Sequence, residues 1–146
     1  MTRRRWIAAA CIVVAAAAAL AYLRDPLWIG DVTSGFRPWE EDPPGTVFRW
    51  TAGRATFFVP SSAATMTLPL RAVFPGPNGT PVRVAIREDG DLLGTIDLTA
   101  PDAWVAPTLT LKPMPGGRRF RRIDLSVSRV VPPFTLGVMT GRVTLR

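Results

Sequence analysis

Residues 81–98 read PVRVAIREDGDLLGTIDL, and this stretch decides the fold class. Val82, Val84 and Ile86 alternate with Arg83 and Arg87, the period of two required by a strand with one buried and one solvated face. Asp89-Gly90 then stands where a two-residue hairpin turn needs positive φ, and Leu92, Gly94, Ile96 and Leu98 resume the alternation on the return strand. The stretch predicts a hairpin of two half-buried strands.

The flanking sequence repeats the pattern. In TMTLPLRAVF (65–74), Met66, Leu68, Leu70, Ala72 and Phe74 share one face, while Thr65, Thr67, Pro69 and Arg71 share the other. Pro69 has no N–H to give a ladder, so this strand is expected at an edge or with a bulge. Further strands are predicted at 47–51, 54–59, 104–111, 121–130 and 135–145. In the last of these, Leu136 and Val138 are out of phase with Val143 and Leu145, and Gly141 is read as the bulge that switches them. No helical period follows Asp25-Pro26. Eight short strands punctuated by Gly, Pro, Asn and Asp predict an all-β, two-sheet β-sandwich of jelly-roll-like type.

The N-terminus is of another kind. MTRRRW is followed by apolar sequence, and no charge returns until Arg24, so residues 6–23 form 18 uncharged, mostly apolar positions. As a helix they reach about 27 Å, close to the hydrocarbon thickness of a bilayer. Residues 1–24 are read as a signal anchor inserted in the lipid bilayer through 6–23, and residues 25–146 as the sandwich domain. Trp6 and Tyr22 stand at the two ends as interfacial aromatics do, whereas Ala19-Leu20-Ala21 offers a signal-peptidase pattern, which leaves secretion after cleavage as the alternative. Either way Arg3, Arg4 and Arg5 keep the N-terminus cytoplasmic, and the domain is extracytoplasmic.

Net charge is +7, and without the three leader arginines 15 basic residues face 11 acidic ones. That mild surplus, with no concentrated basic helix and an exported position, excludes nucleic acid as a partner. The chain has 17 arginines and one lysine, a bias of the kind codon composition produces. Cys11, the one cysteine, lies in the apolar segment, so the domain has no disulfide.

Four runs, IGDVTSGF (29–36), WEEDP (39–43), FRWT (48–51) and LSVSRVVPPFTLGVMTGRVTL (125–145), occur in an order that resembles a group of bacterial β-sandwich domains. Members of that group are membrane-tethered or appended to polytopic membrane glycosyltransferases of the cell envelope. The resemblance spans about residues 29–145 and implies a carbohydrate-binding-like sandwich in the envelope, with no known reaction. Between Pro133 and Leu136 this chain has only Phe134 and Thr135, where the group carries a longer loop with an Asp and an Arg, so no ligand role transfers to that loop.

Catalytic chemistry finds little to work with. There is no histidine, so Ser61, Ser62, Ser126 and Ser128 lack the usual base, and Lys112 sits in no S-x-x-K motif. No catalytic residue, metal or cofactor is predicted. Glu88, Asp89 and Asp91 would suit calcium in type, but a solvated hairpin turn accounts for them. A glycosidase pair drawn from Glu40, Glu41, Asp42, Asp97 and Asp102 would need a cleft that so small a domain has little room for. Asn78-Gly79-Thr80 reads as turn chemistry rather than a glycosylation site.

Two binding surfaces remain. Trp50, between Phe48 and core strands, is read as core, whereas Trp39, in an irregular stretch after Pro38, is read as a surface residue on the lip of the sandwich and as the candidate for a sugar contact, with Glu40 or Glu41 accepting hydroxyl hydrogen bonds or pairing with Arg49 or Arg54. Arg118, Arg119, Arg121 and Arg122 are candidates for an anionic-surface contact, set against a charged strand end that discourages edge pairing. The leading reading is a non-enzymatic, membrane-tethered accessory that binds envelope polysaccharide or scaffolds beside a membrane glycosyltransferase. The alternatives are a protein-interaction module pairing through a strand edge, and a small carboxylate-dependent glycoside-active enzyme.

Overall fold

The computed structural model describes residues 3–42, 45–74, 76–114 and 117–146; Pro43, which ends the WEEDP run, lies outside them. Helix α1 (Arg3–Arg24) comes first, followed by a 3-10 turn at Leu27–Asp31. Twelve strands follow: β1 (Thr33–Phe36), β2 (Glu40–Asp42), β3 (Thr46–Pro60), β4 (Thr65–Thr67), β5 (Leu70–Arg71), β6 (Val82–Glu88), β7 (Asp91–Leu98), β8 (Trp104–Val105), β9 (Thr108–Thr110), β10 (Phe120–Val127), β11 (Met139–Thr140) and β12 (Thr144–Leu145).

The 22 residues of α1 reach about 33 Å, and their apolar side chains, Ile12, Val13, Leu20 and Leu23 among them, are exposed on every side. A helix apolar all round buries itself in something other than its own domain. Among the described residues it is the one helix long and apolar enough to cross a membrane. Its end is tied to the domain where the Asp25 carboxylate accepts the Arg119 N–H.

The sandwich is organised by β3. Its second half pairs with β10 on one edge and β1 on the other, and β6 and β7 extend the front sheet in the order β7-β6-β10-β3. Its first half pairs with β2 and with β11, and β5 and β8 continue the back sheet. The separate strands predicted at 47–51 and 54–59 are thus one 15-residue strand that passes from one sheet to the other. The turnover point is Thr51, fully buried, whose hydroxyl accepts the Val138 N–H at 3.0 Å while its N–H reaches the Val138 carbonyl at 2.8 Å.

The back sheet is broken across its middle. The segments predicted at 65–74, 104–111 and 135–145 each split, into β4 and β5, β8 and β9, β11 and β12, and the order β11-β5-β8 is repeated as β12-β4-β9 beyond the break. Pro69, Pro107 and Gly141 mark it. Pro69 removes a rung, as its missing N–H requires, but it lies between neighbouring segments rather than at an edge. Gly141 N–H to the Pro69 carbonyl and Leu68 N–H to the Pro107 carbonyl, both 3.0 Å, carry the backbone bonding across. The segment predicted at 121–130 ends as a strand at Val127.

Between the layers, Phe57, Val59, Val84, Ile86, Ile123 and Leu125 of the front sheet meet Met66, Leu68, Leu70, Ala72 and Val138 of the back. Each large apolar side chain buried there contributes about 1.5–3 kcal/mol. The face predicted for 65–74 holds from Met66 to Ala72; Phe74 is 40% exposed and stacks on Trp50, centroids 6.0 Å apart. Trp50 is 8% exposed and belongs, with Phe48 and Met139, to a second small cluster. The hairpin turn has Asp89 at φ 50° and Gly90 at φ 98°. A register shift between Ile86 and Arg87 sets Arg87 opposite Leu92 and Ile86 opposite Gly94. Leu92 therefore points outward, and Leu93 packs against the core instead. Residues 77–79 form a 3-10 turn closed by the Thr80 hydroxyl on the Pro77 carbonyl at 2.9 Å, the turn read at Asn78-Gly79.

Candidate functional site

Trp39 lies in the short connection between β1 and β2. In the β2–β3 pairing Glu40 stands opposite Phe48, so one step back places Trp39 opposite Arg49 on the same face. The guanidinium carbon of Arg49 is 3.7 Å from the Phe36 ring centroid and 4.6 Å from that of Trp39, and Arg142 approaches the same indole at 5.6 Å. A cation held against an aromatic face contributes from about 0.5 kcal/mol when exposed to 2 kcal/mol when desolvated. The indole is fixed in place and yet 45% exposed.

Beside it opens a cleft of about 310 Å³, between β3, at Arg49 and residues 57–59, and the Gly141–Leu145 segment, with Thr33, Trp39, Arg49, Phe58 and Arg142 on its walls. Burial holds the Arg49 guanidinium below its ordinary pKa. Its Nε is buried and has no hydrogen-bond partner among the described residues. Neither Arg49 nor Arg142 forms a salt bridge with a described carboxylate, whereas Arg71, Arg83, Arg118, Arg121 and Arg122 all do.

The other residues singled out in the sequence are distributed differently. Glu40 and Glu41 are exposed on β2 and do not line the cleft; Glu41 shares the Trp39 face and Glu40 the opposite one. Neither pairs with Arg49 or Arg54 in a salt bridge among the described residues. The four arginines at 118–122 do not form one surface. Arg118 lies 3.7 Å from Asp89, Arg119 stands beside Tyr22 and Asp25 at the end of α1, and Arg122 pairs with Asp124 at 2.9 Å.

Arg121 departs furthest from a surface contact. It is 1% exposed and is bound by Glu88, 4% exposed, and by the Ser61 and Lys112 carbonyls. The Lys112 N–H completes the arrangement on the second Glu88 oxygen at 3.1 Å. The signal was present: Arg121 is in phase with Ile123 and Leu125, and Glu88 with Val84 and Ile86, so two charges of opposite sign point inward on facing strands.

The aspartates weighed for catalysis or calcium serve as counter-ions. Asp42, at 3.5 Å, and Asp102 both hold Arg71, and Asp97 holds Arg83 at 2.8 Å. Asp89 faces Arg118, and Asp91 holds Lys112 at 2.8 Å, so the Glu88–Asp91 carboxylates do not converge. Among the described residues no group of three or more His, Cys, Asp or Glu side chains is placed to hold a metal ion. A larger groove of about 530 Å³ runs over the outer face of the front sheet past Arg54, Arg87, Arg122 and Asp124, and nothing in the sequence had singled it out.

No family model matches the chain, and no curated protein matches it. Among solved structures it is similar to a family 6 carbohydrate-binding module studied by binding sub-site dissection, at 12% identity over 78% of this chain and 85% of that one, TM-score 0.48. It is also similar to the CsCBM6-3 module from Clostridium stercorarium in complex with cellobiose, at 14% identity over 79% and 86%, TM-score 0.46. A third is the module CBM36 in complex with calcium and xylotriose, at 12% identity over 79% and 92%, TM-score 0.43. At TM-scores below 0.5 these likenesses say nothing of what this chain binds, and its two-sheet sandwich rests on the strand pairing above.

Proposed function

We propose that this protein is a membrane-tethered, non-enzymatic module of the cell envelope that binds polysaccharide at the Trp39 cleft. The observation that carries the reading is the indole itself: half-exposed, beside a cleft, and held by Arg49, which is wedged against Phe36. An indole fixed in advance with 45% of its surface exposed costs little entropy on binding, and the C–H face of a sugar ring is complementary to it. Helix α1 supplies the tether, and its leading arginines keep the N-terminus cytoplasmic and the domain outside. A membrane glycosyltransferase is the neighbour that the resemblance of the sequence suggests.

The strand-edge alternative is weaker. At one end of the front sheet β7 carries Asp91 and Asp97 and a register shift, both of which oppose pairing with another chain. The strands at the far side of the back sheet, β8 and β9, have two and three residues. The enzymatic alternative is weaker too, because the two carboxylates that come together, Asp42 and Asp102, share one guanidinium.

The test is binding of the full-length chain, in nanodiscs, to isolated envelope polysaccharides, with Trp39→Ala in parallel. Saturable binding that weakens about tenfold or more in the variant, its circular dichroism unchanged, is the expected result. Equal binding by the variant contradicts the site, and no binding to any envelope polysaccharide contradicts the function.

A further inference from the structure

We infer that the sugar taken by the Trp39 cleft is an acidic one, a uronic-acid-type residue whose ring lies on Trp39 and whose carboxylate is gripped by Arg49 and Arg142. This rests on the reading of the cleft as a glycan site and names the class of glycan.

Two guanidinium groups converge on one indole. With their carbons at 4.6 and 5.6 Å from the same ring centroid, they stand no more than about 10 Å apart. Like charges so placed repel unless something of opposite sign lies between them. No described carboxylate does: Glu41 shares the face but forms no salt bridge, and the aspartates in ion pairs elsewhere on the surface are already engaged. Of the two arginines, Arg49 is the more costly, since burial works against its charge and its Nε is unsatisfied. A guanidinium fork matches a carboxylate with two parallel bonds, and a carboxylate beside Arg49 offsets the cost of holding its charge partly out of water.

The pairing of ring and charge selects the ligand class. A uronic acid carries its carboxylate directly on the ring that stacks, so one residue meets both the indole and the arginines. A polyol phosphate offers the charge without the ring, and a neutral hexose the ring without the charge. Arg142 is exposed, so its removal leaves the fold alone.

The experiment measures affinities of the full-length chain, in nanodiscs of zwitterionic lipid, for polygalacturonate, polyglucuronate and alginate, each beside its carboxyl-reduced counterpart. The expected result is binding about tenfold tighter to at least one acidic polymer than to its reduced form. Arg142→Gln should erase most of that preference. Arg54→Gln, the same loss of charge at a site outside the cleft, should keep it, and a polyol phosphate polymer should not compete. Equal affinity for the acidic and reduced forms overturns the acidic class while leaving the glycan reading intact. Loss of the preference in Arg54→Gln to the same degree as in Arg142→Gln, or full competition by the polyol phosphate, also overturns it by making the effect one of bulk charge. Failure to bind any polymer, acidic or reduced, overturns the class and counts against the glycan reading with it.

Discussion

Arg121 and Glu88 form an ion pair buried inside the domain, and the domain's stability is sensitive to losing either partner. Their carboxylate and guanidinium face each other inside the sandwich, and the two carbonyls and one N–H around them leave little polar capacity unmet apart from Arg121 Nε. Removing one partner strands a buried charge, which costs about 3–5 kcal/mol, more than the pair itself contributes. Glu88→Gln should therefore lower the urea midpoint strongly, and the double variant Glu88→Gln/Arg121→Met should recover part of the loss. A double variant less stable than the single one would contradict this. The alternation of the sequence around both residues made their inward direction legible, but it did not reveal that they meet, because that depends on the register of β10 against β6. Trp39 and Trp50 were separable from their neighbours alone. Arg142 at the Trp39 ring was not, since 103 positions of chain separate it from its partner and only the crossing at Gly141 brings it there.

At the scale of elements, β1 supports the site from beside it, through Thr33 on the cleft wall and Phe36 under Arg49. Gly35 stands at the register shift between Ser34 and Phe36 with φ +71°, and a Cβ there would lie 2.0 Å from the Arg54 carbonyl oxygen. Backbone strain at such a position costs about 1–3 kcal/mol before any clash is counted. Gly35→Ala should destabilise the domain by about 2 kcal/mol or more and weaken glycan binding, although it touches neither Trp39 nor its arginines. Phe36 follows directly and seats Arg49. Unchanged stability in that variant would show that β1 is free to move.

The β6–β7 hairpin has its own pH signature. The Arg83 hydrogen bond holds the Asp97 carboxyl below its ordinary 3.8, and the Lys112 hydrogen bond does the same for Asp91. An aspartate whose folded pKa is depressed stabilises the fold fully above 3.8 and loses that contribution as pH falls through the folded value. The melting temperatures of the parent and Asp97→Asn should thus differ at neutral pH and converge as pH falls below about 3.8. A gap that persists in acid contradicts the ion-pair account. The hairpin itself was the most legible element in the sequence, because Asp89-Gly90 and the flanking alternation agree. The broken back sheet was legible only at Pro69 and Gly141, and the length of β3 was not, since Thr51-Ala52-Gly53 reads like a connection and is instead where one strand changes sheets.

For the whole molecule, the layout is a sandwich on a stalk of apolar helix, with the Trp39 cleft built from three distant parts of the chain: the approach to β1 and β2, β3 at Arg49 and residues 57–59, and the last segment. As an uncleaved anchor, α1 should keep the chain in the membrane fraction through alkaline carbonate extraction, with an intact mass that includes residues 1–24. Recovery of a soluble product beginning near Tyr22 would instead establish cleavage. The central claim, that the domain recognises polysaccharide at this cleft, is tested most directly by hydrogen–deuterium exchange on the full-length chain with and without a bound envelope polysaccharide. The expected result is protection confined to residues 30–42, 46–49, 57–59 and 141–145. Protection spread over the outer face of the front sheet around Arg54 and Arg87, with the Trp39 segment unchanged, would contradict it.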